Sequence, residues 1–130
     1  MDLENAVTPD FIDLRTRAEF LELCGDESGA ERLRSLSLQI AREVDLICYA
    51  YQLLWRSKLD DAIELLEVAA ATYPDSWNVR HSLGEAYEAL GDEYSAAMNF
   101  RMAAALTEDE GSLALIESSL ARVNRFQVAS

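Results

Sequence analysis

Residues 77–110 read WNVRHSLGEAYEALGDEYSAAMNFRMAAALTEDE, and the order of small and large residues in this stretch decides the fold. Gly84 and Ala96 are small where two helices must approach closely. Leu83, Tyr87, Phe100 and Ala103 fill the space around them. Gly91 stands where the first of these helices must end, because glycine adopts the left-handed cap conformation at little cost. The pattern is one of packing rather than catalysis. It predicts a helix over about Trp77–Leu90, a turn at Gly91-Asp92 and a partner helix over Glu93–Leu106, with Asp75 or Ser76 as the first cap.

Working outward from that stretch, Tyr73-Pro74-Asp75-Ser76 closes an earlier helix, since the residue before proline is pushed out of helical geometry. Ala62, Leu66, Ala69 and Tyr73 form the inner stripe of that helix, and Ser57-Lys58-Leu59-Asp60 marks the turn before it. Toward the N-terminus, Thr8, Pro9 and Asp10 open a first helix as cap, first residue and dipole partner. Its stripe is Phe11, Leu14, Ala18 and Leu21, and Gly25 ends it. Ser28-Gly29-Ala30-Glu31 has capping-box form. From there Leu33, Leu36, Ile40, Val44, Ile47, Tyr51 and Leu54 continue one stripe, with neither Gly nor Pro between Ala30 and Tyr73. Local pattern argues for one helix of about 28 residues, roughly 42 Å long; the alternative is a turn near Arg42–Asp45 with Asp45 as the next N-cap. Thr107-Glu108-Asp109-Glu110 is another capping box, launching a last helix to about Phe126 with Leu113, Ile116, Leu120 and Val123 inward.

Sliding the chain by 34 residues lays Leu83 over Tyr49, Gly84 over Ala50 and Tyr87 over Leu53. It also lays Ala96 over Ala62, Phe100 over Leu66 and Ala103 over Ala69. Small falls on small and large on large, so residues 43–76 and 77–110 form an internal repeat. No third copy is visible in residues 1–42. These residues and this period resemble the tetratricopeptide repeat (TPR) family, over somewhat more than half of the chain. Glu108 stands where the family closes with proline, Tyr94 lies one place beyond the usual turn aromatic, and Ser57 replaces a common glycine. The resemblance implies an all-α, helical-hairpin solenoid: a helical extension (1–42) of the same domain, two repeats (43–76, 77–110) and a capping helix (111–126). The words YPDSWNVRHSLGEAYEALGD (73–92) are also similar to TPR-bearing tails of some bacterial serine hydrolases, although neither GxSxG nor SxxK occurs in the chain.

In the TPR family the first helix of each repeat lines a groove that holds another polypeptide. Carried over by position, the groove here presents Val44, Ile47, Tyr51, Leu54 and Trp55. From the second repeat come Asn78, His81, Glu85 and Glu88, and from the last helix Leu115, Ser119 and Arg122. Helix 43–56 already has a packing stripe at Leu46, Tyr49, Ala50 and Leu53, so Ile47, Tyr51, Leu54 and Trp55 make a second apolar face that must also be covered. The N-terminal helix, a second copy or a foreign peptide would each cover it. The groove positions of the two repeats include neither Lys nor Arg, and Glu85 and Glu88 favour a basic or neutral protein or peptide.

Chemistry other than packing is sparse. His81 is the single histidine, and no carboxylate–His or Cys–His constellation is evident around it, so no catalytic residue, metal site or cofactor is expected. Asp60-Asp61 and Asp109-Glu110 complement helix dipoles. Trp55 and Trp77 read as packing or interface residues, and Met98–Leu106 as a close-packed face. Cys24 and Cys48 fit no metal spacing and read as small buried hydrophobes in a reducing, cytoplasmic compartment. The net charge of −13 argues against a nucleic-acid partner. No stretch approaches the roughly 20 apolar residues of a membrane span.

Overall fold

A computed structural model describes residues 10–129 of the chain, with side chains through Asn124. Seven helices and no strand occur among the described residues. They are α1 (Phe11–Leu23), α2 (Glu27–Ile40), α3 (Glu43–Trp55), α4 (Leu59–Thr72), α5 (Trp77–Leu90), α6 (Glu93–Ala105) and α7 (Glu110–Ala129). The protein is all-α. The chain divides into two compact units, Met1–Asp45 and Leu46–Ser130, with the boundary after the first turn of α3. In the first unit α1 packs on α2; in the second α4 packs on α5, α5 on α6, and α6 on α7.

One turn grammar recurs three times. At Gly25, Ser57 and Gly91 the chain enters the left-handed region, with φ of 88°, 59° and 92°. Each of these residues donates its N–H three residues back: Gly25 to Glu22, Ser57 to Leu54 and Gly91 to Glu88, all at 3.0 Å. The next residue donates five back: Asp26 to Leu21, Lys58 to Leu53 and Asp92 to Tyr87, at 2.8–2.9 Å. This double bond closes the open carbonyls of the preceding helix. Ser57 and Gly91 stand 34 residues apart, the period read from the sequence.

Measured from these turns, the small residues that let helices approach also recur. Ala18, Ala50 and Gly84 are buried, as are Ala30, Ala62 and Ala96, and Ser37, Ala69 and Ala103. The α1/α2 hairpin therefore repeats the small-residue frame that the sequence disclosed only from residue 43 onward. It escaped notice because its turn lies 32 rather than 34 residues before Ser57, and because Arg34 stands where Leu66 and Phe100 fill the core. In the second unit Phe100, Ala96, Ala97 and Ala103 of α6 cluster with Ile116 and Val123 of α7, flanked by Trp77, Tyr87 and Leu120. Burying a ring such as Phe100 contributes about 1.5–3 kcal/mol.

Several sequence expectations are corrected. The long helix over 29–56 is two helices: Ala41 is extended at ψ 133° and α3 restarts at Glu43. No Gly or Pro makes this break. Asp45, three residues into the helix rather than at its cap, accepts the Arg42 backbone N–H at 2.9 Å and both arms of the Arg42 guanidinium at 3.2 Å. Those hydrogen bonds hold the Asp45 carboxyl below its usual range. The restart ends the long apolar stripe, and Leu36, Ile40 and Val44 are exposed. Caps move as well. Asp10 caps α1 in a reciprocal box with Asp13, while Thr8 and Pro9 lie outside the described residues. Asp26 rather than Ser28 caps α2, and Asp109 rather than Thr107 accepts the Ser112 N–H at 2.8 Å. Cys24 and Cys48 are exposed, not buried, because one follows α1 at its turn and the other faces outward from α3. On α6 the close-packed face is Phe100 and Ala103, whereas Met98 and Met102 are exposed.

Two substitutions test this frame. Ser57 is the one non-glycine residue in the left-handed region among those described. Ser57→Gly removes a side-chain strain of about 1–2 kcal/mol at the expense of added chain freedom. The expected net gain is about 0.5–1 kcal/mol, read as a higher urea midpoint with unchanged slope. At Gly84 an added Cβ would run into the Phe100 ring. Gly84→Ala is expected to lose about 1–3 kcal/mol in the same measurement.

Candidate functional site

The side chains that carry chemistry in the second unit gather where α3, α5 and α7 run side by side. Their placement follows from the period. Tyr51, Glu85 and Ser119 are 34 residues apart in turn, and so are Leu54, Glu88 and Arg122. In the structure Tyr51 donates its hydroxyl to Glu85 Oε1 at 2.8 Å, and Arg122 grips Glu88 with Nε and Nη2 at 2.6 and 2.7 Å. Equivalent positions of successive helices are thus bonded directly to one another. Ser82 joins from α5, donating to the Asn78 carbonyl at 2.8 Å and lying 3.3 Å from the Tyr51 hydroxyl.

His81 sits at the centre and is only 4% exposed. Its Nδ1 lies 2.9 Å from Glu85 Oε1, and its Nε2 lies 3.0 Å from Ser119 Oγ. Trp77 and Phe100 close over the ring at centroid distances of 6.3 and 5.2 Å. The sequence pattern showed no carboxylate–His constellation, and here one is assembled. The local half was legible, since His81 and Glu85 are spaced i,i+4 on one helix face. Ser119 arrives from 38 residues away, which no local pattern reports.

Ser119–His81–Glu85 has the order of a serine nucleophile relay, but its surroundings are those of a packed interface. Ser119 is 3% exposed. It lies in the interior of α7, where its hydroxyl donates to the Leu115 carbonyl at 3.2 Å. Backbone N–H groups in a helix interior are committed to the helix, so they cannot converge on a developing oxyanion.

Burial alone would push the Glu85 carboxyl up. Hydrogen bonds from His81 and Tyr51, with the fields of His81 and Arg122, outweigh it and hold the carboxyl below its ordinary value of 4.5. Burial and the adjacent Glu85 carboxylate push the Tyr51 phenol up to about 12, against a smaller opposing effect of Ser82. Both carboxylates singled out in the sequence, Glu85 and Glu88, are therefore satisfied within the protein.

The remaining expected groove residues are divided by exposure. Ile47 is buried, Leu54 is partly buried, Asn78 is exposed and Trp55 is 85% exposed. The structure brings Tyr51, His81, Glu85, Glu88, Ser119 and Arg122 into one polar seam and leaves Trp55 and Asn78 as open surface beside it. Among the described residues no group of three or more His, Cys, Asp or Glu is gathered to hold a metal ion. No described helix is long and apolar enough to cross a membrane. No protein-family model matches the chain, and no curated protein matches it.

The seam makes stability depend on acid. A carboxyl held low in the folded state stabilises the fold above its unfolded value, and that contribution is lost as pH falls through the folded value. Wild type is therefore expected to lose more stability than Glu85→Gln as pH is taken from 6 downward through about 4.5 and below, so that the two urea midpoints converge. At the alkaline end the unfolded chain ionises first, so Tyr51 contributes a fall in stability between its ordinary value of 10.0 and about 12. Tyr51→Phe should flatten that limb.

Proposed function

We propose that this chain is a TPR-like helical-hairpin solenoid that acts as a non-catalytic interaction module, holding a protein or peptide, or a second copy of itself. It does so beside the α3–α5–α7 seam. The observation that carries the reading is the pairing of residues 34 apart, Tyr51 with Glu85 and Glu88 with Arg122. Helices locked in this register present a continuous surface from successive repeats, the arrangement in which solenoids bind extended ligands.

The open residues suit that role. Trp55 offers a large aromatic anchor with little rotamer freedom to lose, and Asn78 offers an amide for a backbone. The two seam carboxylates are already partnered, so any preference for a basic ligand rests on the −13 field of the whole chain rather than on Glu85 or Glu88. The same field disfavours nucleic acid. Two exposed free thiols, Cys24 and Cys48, fit a reducing compartment and a cytoplasmic location.

A second reading, an enzyme or an accessory domain detached from a hydrolase, is kept in view by the Ser119–His81–Glu85 chain. The buried nucleophile and the absence of convergent backbone donors around it weigh against that reading.

One pair of experiments separates the two. Tyr51→Ala combined with Trp55→Ala should weaken capture of bound partners, or self-association, by tenfold or more, the scale of a lost anchor of about 1.4 kcal/mol. Unchanged partners and unchanged self-association would sink the interaction reading. A fluorophosphonate probe should leave Ser119 unlabelled. Labelling that disappears in His81→Ala would instead establish a hydrolase.

A further inference from the structure

The A-type helices α3, α5 and α7 carry the same face in register, and only one of them leaves it open. Cys48, Gln52 and Trp55 on α3 correspond to Ser82, Ala86 and Ala89 on α5 and to Ile116, Leu120 and Val123 on α7. On α5, Ser82 and Ala86 are 1% and 0% exposed, and Ser82 lies against Tyr51 of α3. On α7, Ile116 and Val123 are both fully buried against α6. In each case helices that come earlier in the chain close this face. On α3, Cys48 and Gln52 are exposed and Trp55 is almost entirely so.

Charge selects the occupant. Residues 46–55, LICYAYQLLW, are the longest run without Asp, Glu, Lys or Arg in a chain of net charge −13. Two copies of this acidic chain meet there with less repulsion than at any surface set among carboxylates. The far end excludes a head-to-tail stack. The outer face of α7 shows Glu117, Ser118, Ala121 and Asn124, with Leu115 the large apolar residue beside it. A contact of α3 with α7 of the next copy would lay Trp55 on that polar face and would propagate without closing. A contact of α3 with α3 is self-complementary and closes.

We propose that this chain pairs with a second copy of itself through the Cys48–Gln52–Trp55 face of α3, in a two-fold symmetric contact. The inference rests on the reading of this side as an interaction surface and names its partner. Ten helical residues span about 15 Å, so the contact falls below the roughly 1,200 Å² of a standard interface. The pair is accordingly weak and exchanging, with a dissociation constant in the micromolar range. Salt tightens it, by screening the repulsion between two acidic chains.

The test uses the full chain carrying Cys24→Ser, so that Cys48 is the single thiol. Light scattering over a concentration series should show the mass rise from 14.5 kDa toward twice that value, at lower concentration in high salt than in low. A short bifunctional maleimide should link two copies through Cys48. Trp55→Glu, at a position exposed enough to leave folding intact, should abolish both signals, whereas Ala121→Glu, which adds the same charge on α7, should leave both unchanged. A monomer at every concentration in high salt overturns the self-pairing. So does a dimer that survives Trp55→Glu and is not linked at Cys48. If self-pairing fails, loss of captured partners in the Tyr51→Ala, Trp55→Ala protein still upholds the interaction reading, and retention of those partners removes it.

Discussion

The approach of the Phe100 ring to the bare Cα of Gly84 sets the spacing of α5 and α6, and much of the second unit depends on it. A helix can come this close to its neighbour only where the facing residue lacks a side chain, and Gly84 meets that condition. With Phe100 seated there, Ala96 and Ala103 close the rest of the α5/α6 contact, and α7 lays Ile116 and Val123 on the far side of the same ring. The repeat is thus a spacing rule before it is a sequence rule. Ala50 with Leu66 occupies the same positions one copy earlier in the chain.

That rule explains what the sequence could and could not disclose. Gly91 and the small–large order of 77–110 made α5 and α6 legible nearly to the residue, because both the left-handed turn and the close approach exclude most side chains. Helix starts were misread by two or three residues at Ser28 and Thr107. There a carboxylate nearby, Asp26 or Asp109, reaches the first-turn N–H groups instead. The break between α2 and α3 left no mark of composition. It is made by one side chain, Asp45, folding back on the backbone and guanidinium of Arg42. Of the candidate site, the row positions 51, 85 and 88 were legible from the period, whereas the burial of His81 and its meeting with Ser119 depend on where α7 lies against α5 and on nothing local.

The polar seam is costly to bury and therefore informative. A group such as His81 left unpaired among Trp77, Phe100 and the helix backbones would forfeit its hydration with no return. Each of its ring nitrogens finds a partner, one on its own helix and one on α7. Sliding α7 along α5 by a single turn would separate Ser119 from His81 and Arg122 from Glu88 together, while apolar contacts such as those of Ile116 would tolerate the shift better. Alanine-rich faces pack in several registers; a satisfied set of directional bonds admits few. The seam thus contributes register more than net stability, in keeping with the modest net worth of buried ion pairs.

The two ends of the second unit then differ in kind. At the α7 end the stack presents Glu117, Ser118 and Asn124 to water, the polar outer face that a terminal helix of a repeat array needs for solubility. At the α3 end it presents Trp55, set in the longest uncharged run of an acidic chain. Net charge keeps copies apart in general, so an interruption of that charge at a large exposed aromatic is where association has the least repulsion to overcome and the most apolar surface to gain. Because the same face is closed on α5 and α7, its exposure on α3 follows from the stack beginning there and requires no separate device. The end of the repeat and the interaction surface are one feature of the architecture.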